Sequence, residues 1–112
     1  MKESPIFTRS YELLQWLIPA TVKFPRQQRF VLAAALQRTA LELHEKLIEA
    51  VKSEQPLPIL RQADVSLTKL RFYLRLCRDQ GLLNLGQYEH VSRMVSEVGR
   101  ILGGWIASSV KN

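Results

Sequence analysis

Residues 63–81 read ADVSLTKLRFYLRLCRDQG, and the spacing of their apolar side chains decides the fold class. Projected at about 100° per residue, one apolar stripe forms along one side. Its members are Ala63, Leu67, Leu70, Leu74 and Cys77. This period is typical of an amphipathic α-helix. A helix is therefore predicted over about 59–80, with Gly81 as its natural C-terminal cap.

The same helix carries a second apolar stripe, formed by Val65, Phe72 and Leu76, which lies roughly 100° or more from the first. A surface helix of a monomeric bundle needs only one apolar stripe. Two stripes favour burial against the bundle on one side and against another chain on the other. Val65, Phe72 and Leu76 are therefore predicted to form an oligomer interface, with a very wide core face as the alternative.

Two helices are predicted before this one. Ser4-Pro5 is typical of a helix start, so the first helix is predicted over about 5–22, with a kink or an early end at Pro19. Phe24-Pro25 opens the second helix, over about 26–52. Its apolar positions recur with helical spacing. They are Phe30, Ala33, Ala34, Leu36, Ala40, Leu41, Leu43, Leu47, Ile48 and Val51.

A fourth helix is predicted over about 85–109, because Asn84 and Gln87 have the spacing of a capping box. No β-alternation or glycine-rich phosphate loop is present. Short connectors join the four helices, which favours an up-down-up-down arrangement. Residues 1–112 are therefore predicted to form a single all-α domain, an antiparallel four-helix bundle.

The net charge of the chain indicates which classes of partner it could bind. The 112 residues include 16 Lys and Arg against 10 Asp and Glu, for a net charge of +6. A basic balance favours nucleic acid, an acidic protein face or an anionic membrane surface. No signal-peptide pattern or membrane-spanning apolar run is present, and one cysteine allows no internal disulfide. A cytoplasmic protein that does not span a membrane is predicted.

Two groups of cations consist mainly of residues without an evident helical partner. Arg71, Arg75 and Arg78 lie between the stripes of the third helix, and only Arg75 has an acid at helical spacing, Asp79. They are predicted to hold a nucleic acid or a protein partner, with simple solvation as the alternative.

The second group, Lys23, Arg26 and Arg29, stands at the start of the second helix, where the helix dipole disfavours cations. A phosphate clasp is predicted there. The alternative is an ion pair with Asp64 or with acids of another chain.

The fourth helix contains Gly99, Gly103 and Gly104 within its apolar stripe, close to Trp105. Glycines inside a helix destabilise it, so their presence needs a reason. Gly99, Gly103 and Trp105 are predicted to serve close packing between helices of the bundle, and a subunit contact is the alternative.

No catalytic constellation is visible. His44-Glu45 begins like a zinc-protease motif, but Ile48 occupies the place of the second histidine. The residues three before His44 and His90 are Leu41 and Gln87, so the Glu-x-x-His pairs of di-iron bundles are absent. No enzyme activity, metal or cofactor is predicted.

Two segments carry a family resemblance. Residues 70–76 (LRFYLRL) and 97–106 (EVGRILGGWI) resemble the accessory variability determinant proteins of diversity-generating retroelements. Residues 23–26 (KFPR), followed by Arg29-Phe30, are similar to that family and to its wider relatives, the four-helix bundle proteins encoded by ribosomal RNA intervening sequences.

The resemblance implies a homopentameric ring of basic four-helix bundles. Such a ring would bind the element's reverse transcriptase and RNA or DNA, and would support mutagenic copying without doing chemistry itself. It also implies that Arg26, Arg71, Arg75 and Arg78 match the family's basic motifs. The alternative is a stand-alone RNA-associated bundle of the intervening-sequence type.

Overall fold

The computed structural model describes residues 4–111, which form an all-helical bundle without strands in that range. Helix α1 is Pro5–Val22. Helix α2 consists of a short turn Arg26–Gln28, a π-helical turn Arg29–Ala33 and the long segment Ala34–Lys52. Helix α3 is Leu57–Asp79 and helix α4 is Leu85–Lys111. The predicted four-helix architecture is confirmed.

Each helix packs against the next one in the chain, and α1 also packs against α4, which closes the bundle. The bundle measures 46 × 25 × 24 Å. Its core is built mainly from leucines with almost no exposed surface, among them Leu17, Leu36, Leu47, Leu70 and Leu102. None of the helices within residues 4–111 is long and apolar enough to cross a membrane.

Local signals fix the reversal between α3 and α4. Gly81 has a φ of +74°, and the amide of Leu82 donates to the carbonyl of Cys77 at 2.8 Å, which ends α3 in a Schellman motif. The amide of Gln87 donates to Asn84 Oδ1 at 2.8 Å, and the amide of Asn84 donates to Gln87 Oε1 at 3.0 Å. The predicted cap and capping box are both present.

Helix α1 does not end at Pro19 but continues to Val22. Thr21 Oγ1 lies 2.9 Å from the carbonyl of Leu17 and accepts a hydrogen bond at 2.8 Å from Gln37 Nε2 on α2. These contacts fasten the last turn of α1, which follows the proline, to its neighbour. Ser4 occupies the N-cap position, but its side chain makes no capping hydrogen bond.

The start of α2 departs from the predicted stripe. A regular helix would place Arg29 on the same face as Leu36 and Leu43, since residues seven apart nearly coincide in projection. The π-helical turn changes this register, leaving Arg29 exposed while Ala33 is buried. Phe30, which the periodicity assigned to the apolar stripe, is 78% exposed. Leu41, Ile48 and Val51, assigned to the same stripe on the regular part of the helix, are also exposed, at 41%, 43% and 52%. The predicted stripe was therefore too wide, and its outer flank is not covered by the bundle.

Helix α3 has the two predicted stripes. Its first stripe, from Ala63 to Cys77, is buried in the core. In the second, Val65, Phe72 and Leu76 are 53%, 65% and 41% exposed. The alternative of one wide core face is therefore wrong for the single chain, and the outer face of α3 remains uncovered.

Candidate functional site

A groove of about 360 Å³ runs between α3 and α4 on the surface of the bundle. Its floor is apolar, formed by Leu74 and Val95, and its walls carry cations and hydroxyl groups. The wall from α3 comprises Thr68, Arg71, Phe72 and Arg75, and the wall from α4 comprises Tyr88, Ser92 and Ser96. No carboxylate of residues 4–111 lines the groove, so its chemistry favours an anion.

Helical spacing produces the arrangement of the walls. Arg71 and Arg75 are four residues apart on α3, and Ser92 and Ser96 are four apart on α4, so each pair lies along one helix face. Neither arginine forms an ion pair within the described chain. The pairing of Arg75 with Asp79, which the spacing allows, is not formed, because Asp79 binds Arg78 instead. Two guanidinium groups are thus left facing two hydroxyl groups.

Arg78, the third predicted cation, is already engaged. Its Nη2 lies 2.8 Å from Asp79 Oδ1, and its guanidinium carbon stands 4.7 Å from the centre of the Tyr88 ring. The hydrogen bond with Asp79 raises the pKa of Arg78. Arg78 therefore braces one end of the groove through a cation–π contact, rather than standing beside Arg71 and Arg75 as an unpaired cation.

Gly99 explains where Arg71 lies. A Cβ added to Gly99 would meet Arg71 Nη2 at 2.6 Å and Leu67 Cδ2 at 3.1 Å. The guanidinium of Arg71 thus lies against α4 in the space that the missing side chain leaves. Trp105 is half-buried and packs against the core.

Gly103 differs from Gly99. A Cβ there would meet nothing within 4 Å, and the residue is exposed. The prediction that Gly103 serves packing inside the bundle was wrong, because no neighbouring helix reaches it. A contact with a second copy stays a prediction.

These two glycines predict opposite effects of the same substitution. Gly99→Ala should displace the guanidinium of Arg71 and lower the affinity for any ligand that Arg71 holds. Gly103→Ala should leave binding unchanged and stabilise the helix by about 0.5–1 kcal/mol, since it removes conformational freedom from the unfolded chain. Thermal melting and binding measured on both variants test this, and equal effects of both substitutions on binding would contradict it.

The second predicted cluster lies at the end of the bundle, where α1 turns into α2. Lys23, Arg26 and Arg29 are exposed and form no ion pair within residues 4–111, so the alternative pairing with Asp64 is not formed. Exposed Phe30 and Val31, at 78% and 67%, follow directly. The π turn thus presents an aromatic ring next to three cations.

The structure separates the six predicted cations into two sites. Lys23 shares a surface depression with Gly81 and Gln87, so the turn after α1 and the turn after α3 lie at the same end of the bundle. Arg71 and Arg75 belong to the second site, because they line the groove between α3 and α4. The hydroxyl wall of Ser92 and Ser96 was missed by the sequence analysis, although its four-residue spacing was a usable signal.

Residues 4–111 contain no group of three or more His, Cys, Asp or Glu side chains that could hold a metal ion. His44 Nδ1 lies 2.7 Å from Ser10 Oγ, which joins α1 to α2, and the His90 ring stands 5.5 Å from that of Trp16. Both histidines thus have contacts of a structural kind.

Burial raises the pKa of Cys77 to about 11, since the low-polarity interior disfavours the thiolate. The thiol should therefore resist iodoacetamide at pH 8 in the folded protein and react readily in denaturant. Mass spectrometry after timed labelling measures this. Fast labelling of the native protein would contradict the buried, protonated thiol.

Known proteins share this architecture. A solved structure from Bacteroides thetaiotaomicron, a protein of unknown function from the S23 ribosomal protein family, superimposes with a TM-score of 0.80 at 18% identity. The match covers 90% of this chain and 97% of that one, and at this identity it shows the fold alone. No curated protein sequence is significantly similar to this chain. A family model described as bAvd-like matches residues 6–109. The resemblance predicted from the motifs of α3 and α4 is confirmed, and the chain belongs to the bAvd-like family.

Proposed function

We propose that this chain is a non-enzymatic accessory protein of a diversity-generating retroelement. In this role it forms a basic oligomeric scaffold, a homopentameric ring, that binds the element's reverse transcriptase together with RNA or DNA. Membership of the bAvd-like family supports the accessory role. The polymerase would perform the chemistry, while the bundle would hold template or product close to it.

The observation that carries the nucleic-acid half of this proposal is the α3–α4 groove. Arg71 and Arg75 face Ser92 and Ser96 there, without an ion-pair partner in the described chain. A planar guanidinium with several donors matches the oxygens of a phosphate. Lys23, Arg26 and Arg29 supply a second basic site that a longer strand or the polymerase would reach.

Binding by phosphate contacts has a diagnostic dependence on salt. Affinity for a short unstructured RNA should fall with salt, with a log–log slope of about 0.7 for each phosphate contacted. Fluorescence anisotropy across a salt series measures the slope directly. Affinity that does not change with salt would contradict contacts to phosphates.

The proposed binding to the reverse transcriptase is tested separately by co-purification. Tagged chain should retain the reverse transcriptase encoded in the same element after nuclease treatment, which removes bridging nucleic acid. If the polymerase docks at the end of the bundle that carries Lys23, Arg26 and Arg29, a variant with these three residues changed to Glu should no longer retain the polymerase. Failure of the unaltered chain to retain the polymerase would overturn this half.

A further inference from the structure

The α3–α4 groove combines phosphate-binding side chains with an exposed aromatic ring. From this combination we infer that it binds a nucleotide whose base is unpaired. In this arrangement Arg71 and Arg75 hold the phosphate and the face of the base packs on Phe72. Phe72 lines the groove, whereas Val65 and Leu76 do not, so the inference takes Phe72 out of the predicted interface and leaves Val65 and Leu76 to contact another chain. The inference rests on the proposed function and narrows its ligand from nucleic acid in general to the unpaired nucleotide.

The phosphate would be held where the two helices face each other. Arg71 and Arg75 present guanidinium forks from α3, and Ser92 and Ser96 present hydroxyl donors from α4. Thr68 adds a third hydroxyl, but its proton is donated to the carbonyl of Asp64 at 3.1 Å. The Ser92 and Ser96 hydroxyls make no hydrogen bond to another described residue, so both can donate to a ligand.

The base would be recognised through its flat face. Phe72 borders the groove and is 65% exposed, so much of its ring is accessible to a ligand. Stacking on an aromatic ring is the sequence-tolerant contact of proteins that bind single strands, because every base has a π-face. Tyr88 does not supply this contact as readily, because Arg78 lies over its ring at 4.7 Å.

The groove has room for one unpaired nucleotide. Its volume of about 360 Å³ suits a small ligand, since such sites span roughly 300–1,000 Å³. A duplex keeps its base faces stacked and offers only phosphates and groove edges. A duplex could therefore reach the arginines but could not use Phe72.

An unpaired nucleotide can come from two sources, a free nucleotide or one position of a single strand. The experiment therefore measures fluorescence anisotropy of the unaltered chain with a short unstructured RNA and with the same sequence as a duplex, at one salt concentration. Unlabelled AMP is added as a competitor. The single strand should bind at least about tenfold more tightly than the duplex. Displacement by AMP would identify a free nucleotide as a ligand, and no displacement would assign the site to a strand.

The variant Phe72→Leu isolates the base contact. It should lower affinity for the single strand about tenfold and leave affinity for the duplex and the salt slope unchanged. Leu85→Ala is a matched control, since Leu85 is also 65% exposed but lies outside the groove. It should change neither affinity.

The possible failures are distinguishable. Absence of binding to both RNA forms would overturn the proposed function itself. Equal binding of single strand and duplex, or no effect of Phe72→Leu, would overturn only the unpaired-nucleotide inference. Loss of oligomer mass in Phe72→Leu, with equal loss of affinity for both RNA forms, would also overturn it and assign the ring to an interface.

Discussion

Replacing Arg71 and Arg75 together with alanine is expected to weaken binding of a short single-stranded RNA by about a hundredfold or more. Each change removes a charge-assisted hydrogen bond to phosphate, worth about 1.5–3 kcal/mol, and every 1.4 kcal/mol is about a factor of ten. The loss of two phosphate contacts should also lower the log–log salt slope by about 1.4. Anisotropy titrations at several salt concentrations measure both quantities in one experiment.

The matched control removes the same charge from another surface. Arg9 and Arg38 are exposed on α1 and α2 and lie within 3.3 Å and 3.8 Å of Glu12 and Glu42. Changing both to alanine gives the same net charge as the groove variant, +6 − 2 = +4. If binding depends only on overall charge, both variants will lose affinity for the RNA equally. That result would contradict a binding site in the groove.

The choice of Arg75 over Arg78 for this test comes from the structure. Spacing alone suggested that Arg75 pairs with Asp79 and that Arg78 has no partner. In the folded chain Asp79 binds its direct neighbour Arg78, which also lies over Tyr88 on the next helix. The ring that decides the position of Arg78 comes from α4, so no pattern within α3 could reveal it.

The helices themselves were predictable because their signals are local. Gly81 and the pair Asn84–Gln87 mark the ends of α3 and α4 through contacts within a few residues. The π turn at Arg29–Ala33 was not predicted, because it arises where local periodicity conflicts with burial. Arg29 lies seven residues before Leu36, on the core side of a regular helix, and this conflict was the available warning.

The candidate site was only half predictable for a similar reason. Arg71 stood out because it has no acid at helical spacing, which is visible in one helix. Arg75 has Asp79 at that spacing, and only the folded chain shows that Asp79 binds Arg78 instead. The residues that face Arg71 and Arg75, Ser92 and Ser96, depend on the register between α3 and α4. That register is set partly by Gly99, because its missing side chain admits Arg71. Which side chain fills the space beside a glycine depends on how the helices pack, so the sequence of one helix does not reveal it.

Changing Val65 and Leu76 together to glutamate is expected to convert the proposed oligomer into a monomer of 12.9 kDa. Both side chains stand on the outer face of α3, 53% and 41% exposed in the single chain. A contact that buries them would gain from the hydrophobic effect, and two carboxylates placed there would have to be dehydrated without partners. The interior of the bundle is not touched, so helicity should be retained. Light scattering coupled to size exclusion measures the mass, and circular dichroism checks the fold.

A second variant shows whether the outer face of α3 is specific. Leu85 and Val110 stand near opposite ends of α4 and are 65% and 58% exposed. Changing both to glutamate alters charge and apolar exposure in the same way, but away from α3, so the oligomer should persist. If this variant also becomes monomeric, the interface extends beyond α3. A monomeric mass for the unaltered chain at every concentration would refute the oligomer. The uncovered face of α3 would then need another partner, since a large exposed apolar patch usually marks an interaction site.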